Sequence, residues 1–307
     1  MTKVLLATEK PFSPAAVKQI QSVVEEVGFE FALLEKYTAP EQFHQAVADA
    51  DALIVRSDLV TPEVLEAAKA LKIVVRAGAG FDNIDLPAAT AKGVVVMNTP
   101  GQNANAVAEL ALGMMVFLAR GCFNGKSGRE LRGKTLGLHA FGNVGRRVAE
   151  IAKGFGMHVY AYDPFLTKDA IEKEGVTALA SVEQLYDTCQ YVSLHIPANE
   201  QTRGSINYAL LNRMPQGATL VNTARKEVVN EADLLKIFAE RPDFKYLSDV
   251  TPDCAAEVAE KFPGRFFFTP KKMGAQTEEA NVNAGIAAAN QIRDFFQKGD
   301  TRFQVNK

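Results

Sequence analysis

Lys134-Thr-Leu-Gly-Leu-His-Ala140, then Phe141-Gly142-Asn143-Val144-Gly145, then Arg146–Phe155 is the stretch that decides the fold. The first run reads as a strand. The middle forms a turn, and the last is a helix with Val148, Ile151, Ala152 and Phe155 on one side. The spacing is AxGxxG where a dinucleotide fingerprint has GxGxxG. Gly142 lets the backbone approach a pyrophosphate, and Gly145 lets the helix pack close to the strand. The helix N-terminus offers N–H groups and a partial positive charge. A second strand, Met157–Tyr162, ends in Asp163, 18 residues beyond Gly145. A carboxylate there accepts from ribose hydroxyls and repels a 2′-phosphate, and Pro164-Phe165 bring no cation, so NAD is expected over NADP. The bland reading is a tight βα turn with a surface Asp.

Outward from this stretch the same alternation recurs. Short apolar runs at Lys3–Ala7, Phe29–Leu33, Ala52–Val55, Lys72–Val75 and Val94–Met97 read as strands. Helical segments at Pro14–Val27 and near 40–48, 62–70 and 85–92 separate them. A helix over Asn103–Arg120 and a polar loop, Gly121–Gly133, break the rhythm. The second series has strands near 135–140, 157–162, 190–195, 218–222, 245–249 and 266–269, and a last helix from Glu278 to Phe296. Strands alternating with helices imply an α/β protein with two doubly wound parallel-sheet domains. A length of 307 residues agrees with two domains at roughly 150 residues each.

Charge excludes one class of partner. Lys+Arg 34 against Asp+Glu 36 gives −2, with no basic excess to follow a phosphate backbone, so no nucleic acid is expected. Cys122, Cys189 and Cys254 are odd in number and lack a CxxC spacing, which points to a reducing, cytoplasmic compartment. MTKVLLATEK is no signal peptide, and the apolar stretch Ala104–Ala119 is interrupted by Glu109, so no membrane is expected. No residue cluster has metal-ligand spacing.

Further motifs carry a resemblance. They are Val55-Arg-Ser57, Val75-Arg-Ala-Gly-Ala-Gly-Phe-Asp-Asn-Ile-Asp85, Val96-Met-Asn-Thr-Pro100, Ala108-Glu-Leu110 and Gly133-Lys-Thr-Leu-Gly137. The second half adds Val192-Ser-Leu-His-Ile-Pro197, Val221-Asn-Thr-Ala-Arg225, Ser248-Asp-Val250, Thr269-Pro270 and Gly274-Ala275. In this order they resemble the D-2-hydroxyacid dehydrogenases, and within them the phosphoglycerate dehydrogenases, over nearly the whole chain. The resemblance implies a discontinuous substrate domain (1–99 and 277–307) and a Rossmann NAD domain (100–276), with a cleft between them. It also implies a homodimer built through a segment near 103–133, and a short form lacking the regulatory domains of longer members.

The resemblance assigns roles. Arg225 matches the catalytic arginine, whose guanidinium clamps a carboxylate and polarises the C2 oxygen. Ala77, Gly78 and Ala79 match a carboxylate-binding turn. Arg56, Ser57 and Arg76 match positions beside a substrate phosphate. The cofactor set is Gly142, Asn143, Val144, Gly145 and Asp163, then His195, Ile196, Pro197 and Thr202. Thr223, Ala224, Asp249, Gly274 and Ala275 complete it. His139 reads as a packed core residue, and His44 and His158 as surface.

Two departures matter. The family has a catalytic His soon after Thr-Pro, but here the chain reads Thr269-Pro-Lys271-Lys272-Met-Gly274. Counting back from Gly274 puts Lys272 at the His position, with Lys271 beside it. A lysine can act as acid/base if burial and nearby positive charge lower its pKa. The family's supporting Glu is replaced by Cys254, with Asp253 or Glu257 as possible substitutes. A lysine needs no tautomer-fixing partner, unlike His. The activity implied is NAD-dependent oxidation of D-3-phosphoglycerate to 3-phosphohydroxypyruvate, on the route to serine. The alternatives are another D-2-hydroxyacid dehydrogenase, acting on glyoxylate or hydroxypyruvate, and a non-catalytic NAD(H)-sensing protein.

Overall fold

The computed structural model describes all 307 residues. They divide into two compact units: a split unit, Met1–Asn103 with Gln276–Lys307, and a central unit, Ala104–Ala275.

The split unit holds five strands: β1 (Lys3–Thr8), β2 (Glu30–Glu35), β3 (Ala52–Val55), β4 (Ile73–Arg76) and β5 (Val95–Asn98). All pair in parallel, in the order β2-β1-β3-β4-β5. Alternate strand residues feed opposite faces. Leu5, Leu53 and Val74 join one buried cluster, and Val4, Leu6, Ile54 and Val75 join the other. Helix Pro14–Glu25 starts on Ser13, whose hydroxyl accepts the Ala16 N–H at 3.3 Å, with Pro14 in the first turn. It lays Ile20 and Val24 on the second cluster, beside Ala284, Ala288 and Ile292 of the last helix, Glu278–Lys298.

The central unit holds seven parallel strands: β6 (Thr135–His139), β7 (His158–Tyr162), β8 (Thr177–Ala178), β9 (Tyr191–Leu194), β10 (Thr219–Asn222), β11 (Lys245–Ser248) and β12 (Phe266–Phe268). Their order is β12-β11-β10-β9-β6-β7-β8. Leu136 and Leu138 face one cluster, Val192 and Leu194 the other. Every residue of β9 and β10 is buried, as strands covered on both faces must be. Helix Ala104–Ala119 packs Ala108, Ala111, Leu112 and Met115 into the first cluster. Residues 122–130 after it are exposed. No helix is long and apolar enough to cross a membrane.

Both sheets are doubly wound parallel sheets, as expected. The fingerprint helix begins at Asn143 rather than Arg146, because Gly142 is its N-cap. The sequence reading expects helices between the strands of the second series without bounding them. They are Lys168–Glu172, Val182–Thr188, Tyr208–Arg213, Glu231–Glu240 and Ala255–Lys261, and a two-residue strand, β8, adds to the expected set.

Each sheet has one point where the strand order reverses, and ligands of such sheets bind at the carboxyl ends of the strands there. In the split unit it lies between β1 and β3, where Arg56 follows. In the central unit it lies between β6 and β9, at the fingerprint turn.

Candidate functional site

The central unit presents a phosphate cradle at its reversal point. Ala140 holds φ +81 to make the turn. A Cβ on Gly145 would stand 2.6 Å from the Ala140 carbonyl oxygen, so Gly145 is fixed by the turn itself. Gly142 has φ −78 and nothing within 4 Å of a Cβ. The protein does not require glycine there, so the open space suits a group brought close from outside. The first helical turn, Asn143 to Gly145, has no side-chain cap over its N–H groups. Asp163 Oδ2 accepts Phe141 N–H and Oδ1 accepts Phe165 N–H, both at 2.9 Å, which couples the ribose-side acid to the turn.

Orphaned polar atoms lie at the ends of the adjacent strands. His195 Nε2 and Thr223 Oγ1 are buried without a hydrogen-bond partner. Burial, with His139 adding to it, pushes His195 down to about 3. Burial pushes His139 down to about 4, and its Nδ1 lies 3.3 Å from the Tyr186 hydroxyl. Both rings are therefore neutral near pH 7. A cavity of about 530 Å³ is lined by His139, Tyr162, Ile196, Thr202 and Leu210 among others. Thr202 closes its own loop by donating to the Pro197 carbonyl at 2.6 Å. The cavity is also lined by Glu183, Gln201, Asn207 and Arg213, so it is of mixed polarity. An open cradle at a helix N-terminus, a carboxylate at the end of the next strand and unpaired buried polar atoms on the adjacent strand ends fit a dinucleotide.

Beyond β10, the buried Asn222 side chain shapes the turn. It accepts Ala224 N–H at 3.0 Å and donates to the Arg225 carbonyl at 2.9 Å. The sequence reading did not single out Asn222. Arg225 is half-buried, and its Nη1 donates to the Ala224 carbonyl at 3.0 Å. Asp249, expected beside the nicotinamide amide, is 1% exposed and binds the loop after β12. It accepts Thr269 Oγ1 and Met273 N–H on Oδ1, both at 2.9 Å, and Gly274 N–H on Oδ2 at 2.8 Å. Lys271 and Lys272 lie in this loop, and both are exposed. The burial expected around Lys272 is absent here.

Asp253, expected among the catalytic groups, is exposed and bound to Lys226 Nζ at 2.6 Å. The carboxylate nearest Cys254 is one the sequence reading passed over, Glu231. It accepts Asp253 N–H at 2.9 Å and Cys254 N–H at 2.7 Å. Glu231 therefore caps the start of helix Ala255–Lys261.

The split unit gathers Arg56, Ser57 and Arg76 at the ends of β3 and β4. Arg56 Nη1 donates to the Lys10 and Pro11 carbonyls at 3.2 and 3.4 Å, and Nη2 to Asn281 Oδ1 at 2.7 Å. Its guanidinium lies 4.8 Å from the Phe12 ring centroid. Of five N–H donors, these bonds leave the Nε–H and one Nη2–H. Arg76 Nε donates to the Arg56 carbonyl at 2.8 Å. Asn83, unassigned by sequence, clamps the same turn through the Asp58 carbonyl at 2.7 Å. Asp58 is buried and accepts Glu9 N–H at 2.6 Å and the Tyr37 hydroxyl at 2.8 Å. Ser57 is exposed. In the Ala77–Ala79 turn only part of the expected nest is open. Ala77 and Gly78 N–H already bond the Val55 and Arg76 carbonyls, both at 2.8 Å, so the donors on offer are those of Ala79 and Gly80.

Against known proteins, the family described as D-isomer specific 2-hydroxyacid dehydrogenase, NAD binding domain, matches residues 107–263. The chain is 34% identical over 316 residues to a D-3-phosphoglycerate dehydrogenase of Methanocaldococcus jannaschii, covering 95% of this chain and 57% of that protein. The chain thus spans little more than half that relative's length. It is 35% identical over 283 residues to a hydroxypyruvate reductase of Thermotoga maritima, covering 86% of this chain and 90% of the other. The structure is similar to that of an NAD+-bound 3-phosphoglycerate dehydrogenase of Entamoeba histolytica. There the TM-score is 0.88 with 48% identity, over 100% of this chain and 99% of that one.

Proposed function

The chain belongs to the D-isomer specific 2-hydroxyacid dehydrogenase family, and we propose that it interconverts D-3-phosphoglycerate and 3-phosphohydroxypyruvate with NAD. The observation that carries the phosphorylated substrate is the linked pair Arg56 and Arg76 at the split unit's reversal point. Two guanidinium groups on adjacent strand ends suit a dianion. The likeness to the Entamoeba histolytica enzyme supports the same reading.

The split unit then serves as substrate domain and the central unit as NAD domain. NAD, when bound, supplies the hydride acceptor. The Asn143–Gly145 turn and Asp163 hold its phosphate and ribose ends, and His195 and Thr223 offer their unpartnered atoms to it. Arg225 fixes the substrate carboxylate and the C2 oxygen. In the split unit, the Ala79 and Gly80 N–H groups offer donors to an anion. Lys272 Nζ exchanges the proton at the C2 oxygen. The ammonium form protonates that oxygen when the keto acid is reduced. Oxidation requires the neutral amine.

Three finer readings belong to this proposal. Cys122, Cys189 and Cys254 are all free thiols, which supports a cytoplasmic setting. Exposed Phe123, stacked edge-on against Phe117 at the end of helix Ala104–Ala119, supports a homodimer through that segment. The product's keto acid is one transamination from phosphorylated serine.

One observation favours a second reading, a reductase of small keto acids. Asn281, Lys10 and Pro11 already occupy three of the Arg56 donors, and the Thermotoga maritima relative is matched over nearly its full length. The deciding experiment is NADH oxidation with 3-phosphohydroxypyruvate, hydroxypyruvate and glyoxylate, by wild type and Lys272→Ala. Preference for the phosphorylated acid, abolished in the variant, supports the proposal. Turnover of the small acids alone would discard the phosphate site. NADH binding without turnover of any acid would point to a sensor.

A further inference from the structure

One buried carboxylate pins the loop that carries the two lysines. Thr269 follows β12 and is 2% exposed. Its N–H donates to the Ser248 carbonyl at 3.0 Å, which extends the ladder between β11 and β12 by one bond. Its hydroxyl lies 2.9 Å from both Asp249 Oδ1 and the Asp249 carbonyl oxygen. The same carboxylate receives Met273 and Gly274 N–H. Pro270, Lys271 and Lys272 are thus a three-residue span held at both ends by Asp249. On its outer side the Thr269 carbonyl accepts the Thr251 hydroxyl at 3.0 Å.

This arrangement has a consequence for an exposed lysine. Its four-carbon stem is flexible, so the position of its Nζ depends on where the backbone sets the Cα. A displacement of about 1 Å at a reacting group costs on the order of 10²-fold in rate. Removing the Thr269 hydroxyl leaves a buried carboxylate short of a donor and frees the start of the loop.

We propose that Thr269, acting through Asp249, is a positioning residue for the acid/base lysine, setting where Lys272 meets the substrate without touching substrate or cofactor. This rests on the reading of Lys272 as the acid/base.

The test compares Thr269→Val, which keeps the shape and loses the hydroxyl, with Thr269→Ser, which keeps the hydroxyl. Thr269→Val is expected to lower kcat for 3-phosphohydroxypyruvate reduction by about 10- to 100-fold. The NADH Kd, read from its fluorescence, should change far less than kcat, because the Asn143–Gly145 cradle and Asp163 are untouched. The limb of the pH–rate profile that disappears in Lys272→Ala should shift in Thr269→Val. Thr269→Ser should restore both rate and profile. Wild-type kcat in Thr269→Val, equal loss in Val and Ser, or a matching loss of NADH affinity would each overturn the proposal. Thr251→Val removes only the outer bond and is the milder variant should Thr269→Val not fold. It should show the same signature with a drop of about 2- to 5-fold, and unchanged kinetics there would overturn the proposal. Lys272→Ala, run in parallel, separates the two failures. Full activity in Lys272→Ala removes the acid/base reading. An inactive Lys272→Ala beside a fully active Thr269→Val removes only the positioning role.

Discussion

Arg76 Nε donates to the Arg56 backbone carbonyl at 2.8 Å, so one arginine of the proposed phosphate site fixes the backbone that presents the other. A Cβ at Gly78 would fall on Arg76 Nη1, which makes this glycine a seat for the guanidinium. Gly78→Ala should therefore expel Arg76. KM for 3-phosphohydroxypyruvate is expected to rise at least about tenfold, as loss of a charge-assisted hydrogen bond implies. NADH affinity should be unchanged, since Gly78 belongs to the other unit. Steady-state kinetics with an NADH titration check both, and an unchanged KM would remove Arg76 from the phosphate site.

The legible part of this molecule is what local pattern encodes. The fingerprint turn, its strand and helix, and the acid ending the next strand all sit within Lys134–Asp163, and each has a local physical reason. Strand β8, at two residues, is too short to carry any period. The partnerships that shape the site were hidden for a different reason. Arg56 meets Asn281 across 225 positions, and Asp249 meets Thr269, Met273 and Gly274 across 20 to 25. No residue type announces such a partner. Asp253 lies one residue from the counted Glu position, yet its side chain turns to Lys226 in solvent.

Ala140 offers a stability test. It stands where the fingerprint has glycine, and its φ of +81 is a conformation that a side chain disfavours by roughly 1–2 kcal/mol. Ala140→Gly relieves that strain, offset in part by a more flexible unfolded chain. A net gain of about 1 kcal/mol should raise the melting temperature by about 2–4 °C. Gly145→Ala should do the opposite, because its Cβ would press on the Ala140 carbonyl. Thermal melts of the two variants with opposite signs would support this account. A destabilised Ala140→Gly would sink it.

The neutral histidines predict acid sensitivity. Both are held down in the fold, His195 to about 3 and His139 to about 4, against about 6.5 when unfolded. Between those values the unfolded chain binds protons that the fold refuses. Stability therefore falls as pH drops below about 6.5, by up to about 1.4 kcal/mol per pH unit per group. The loss attributable to His139 is complete near pH 4, and that to His195 near pH 3. Above pH 7 neither contributes a slope. Urea midpoints from pH 7.5 to 4.5 should show this decline, with a shallower slope in His139→Asn. An identical slope in the variant would remove His139 from the account.

Asp253 sits in an exposed ion pair with Lys226, and exposed pairs stabilise little. Asp253→Ala should leave kcat within about twofold. A loss comparable to that of Lys272→Ala would restore Asp253 to the catalytic group.

Cys254 stands at the position counted for the family's Glu, and Glu231 approaches it from the start of the preceding helix, Glu231–Glu240. That carboxylate caps Asp253 and Cys254, and burial together with its charge pushes the Cys254 thiol up to about 12. Burial alone does the same to Cys189, while Cys122 is exposed. A thiol reagent at pH 8 acts on thiolate, so one thiol should react fast and two should lag by at least about 100-fold. Glu231→Gln keeps an acceptor for the helix start but removes the negative charge that opposes the thiolate. Labelling of Cys254, followed by mass spectrometry, should then speed up by about 3- to 10-fold. Equal rates in wild type and variant would mean that burial alone governs this thiol. In that case Glu231 would be only a helix cap, and its charge would not tune the position where the family's Glu stands.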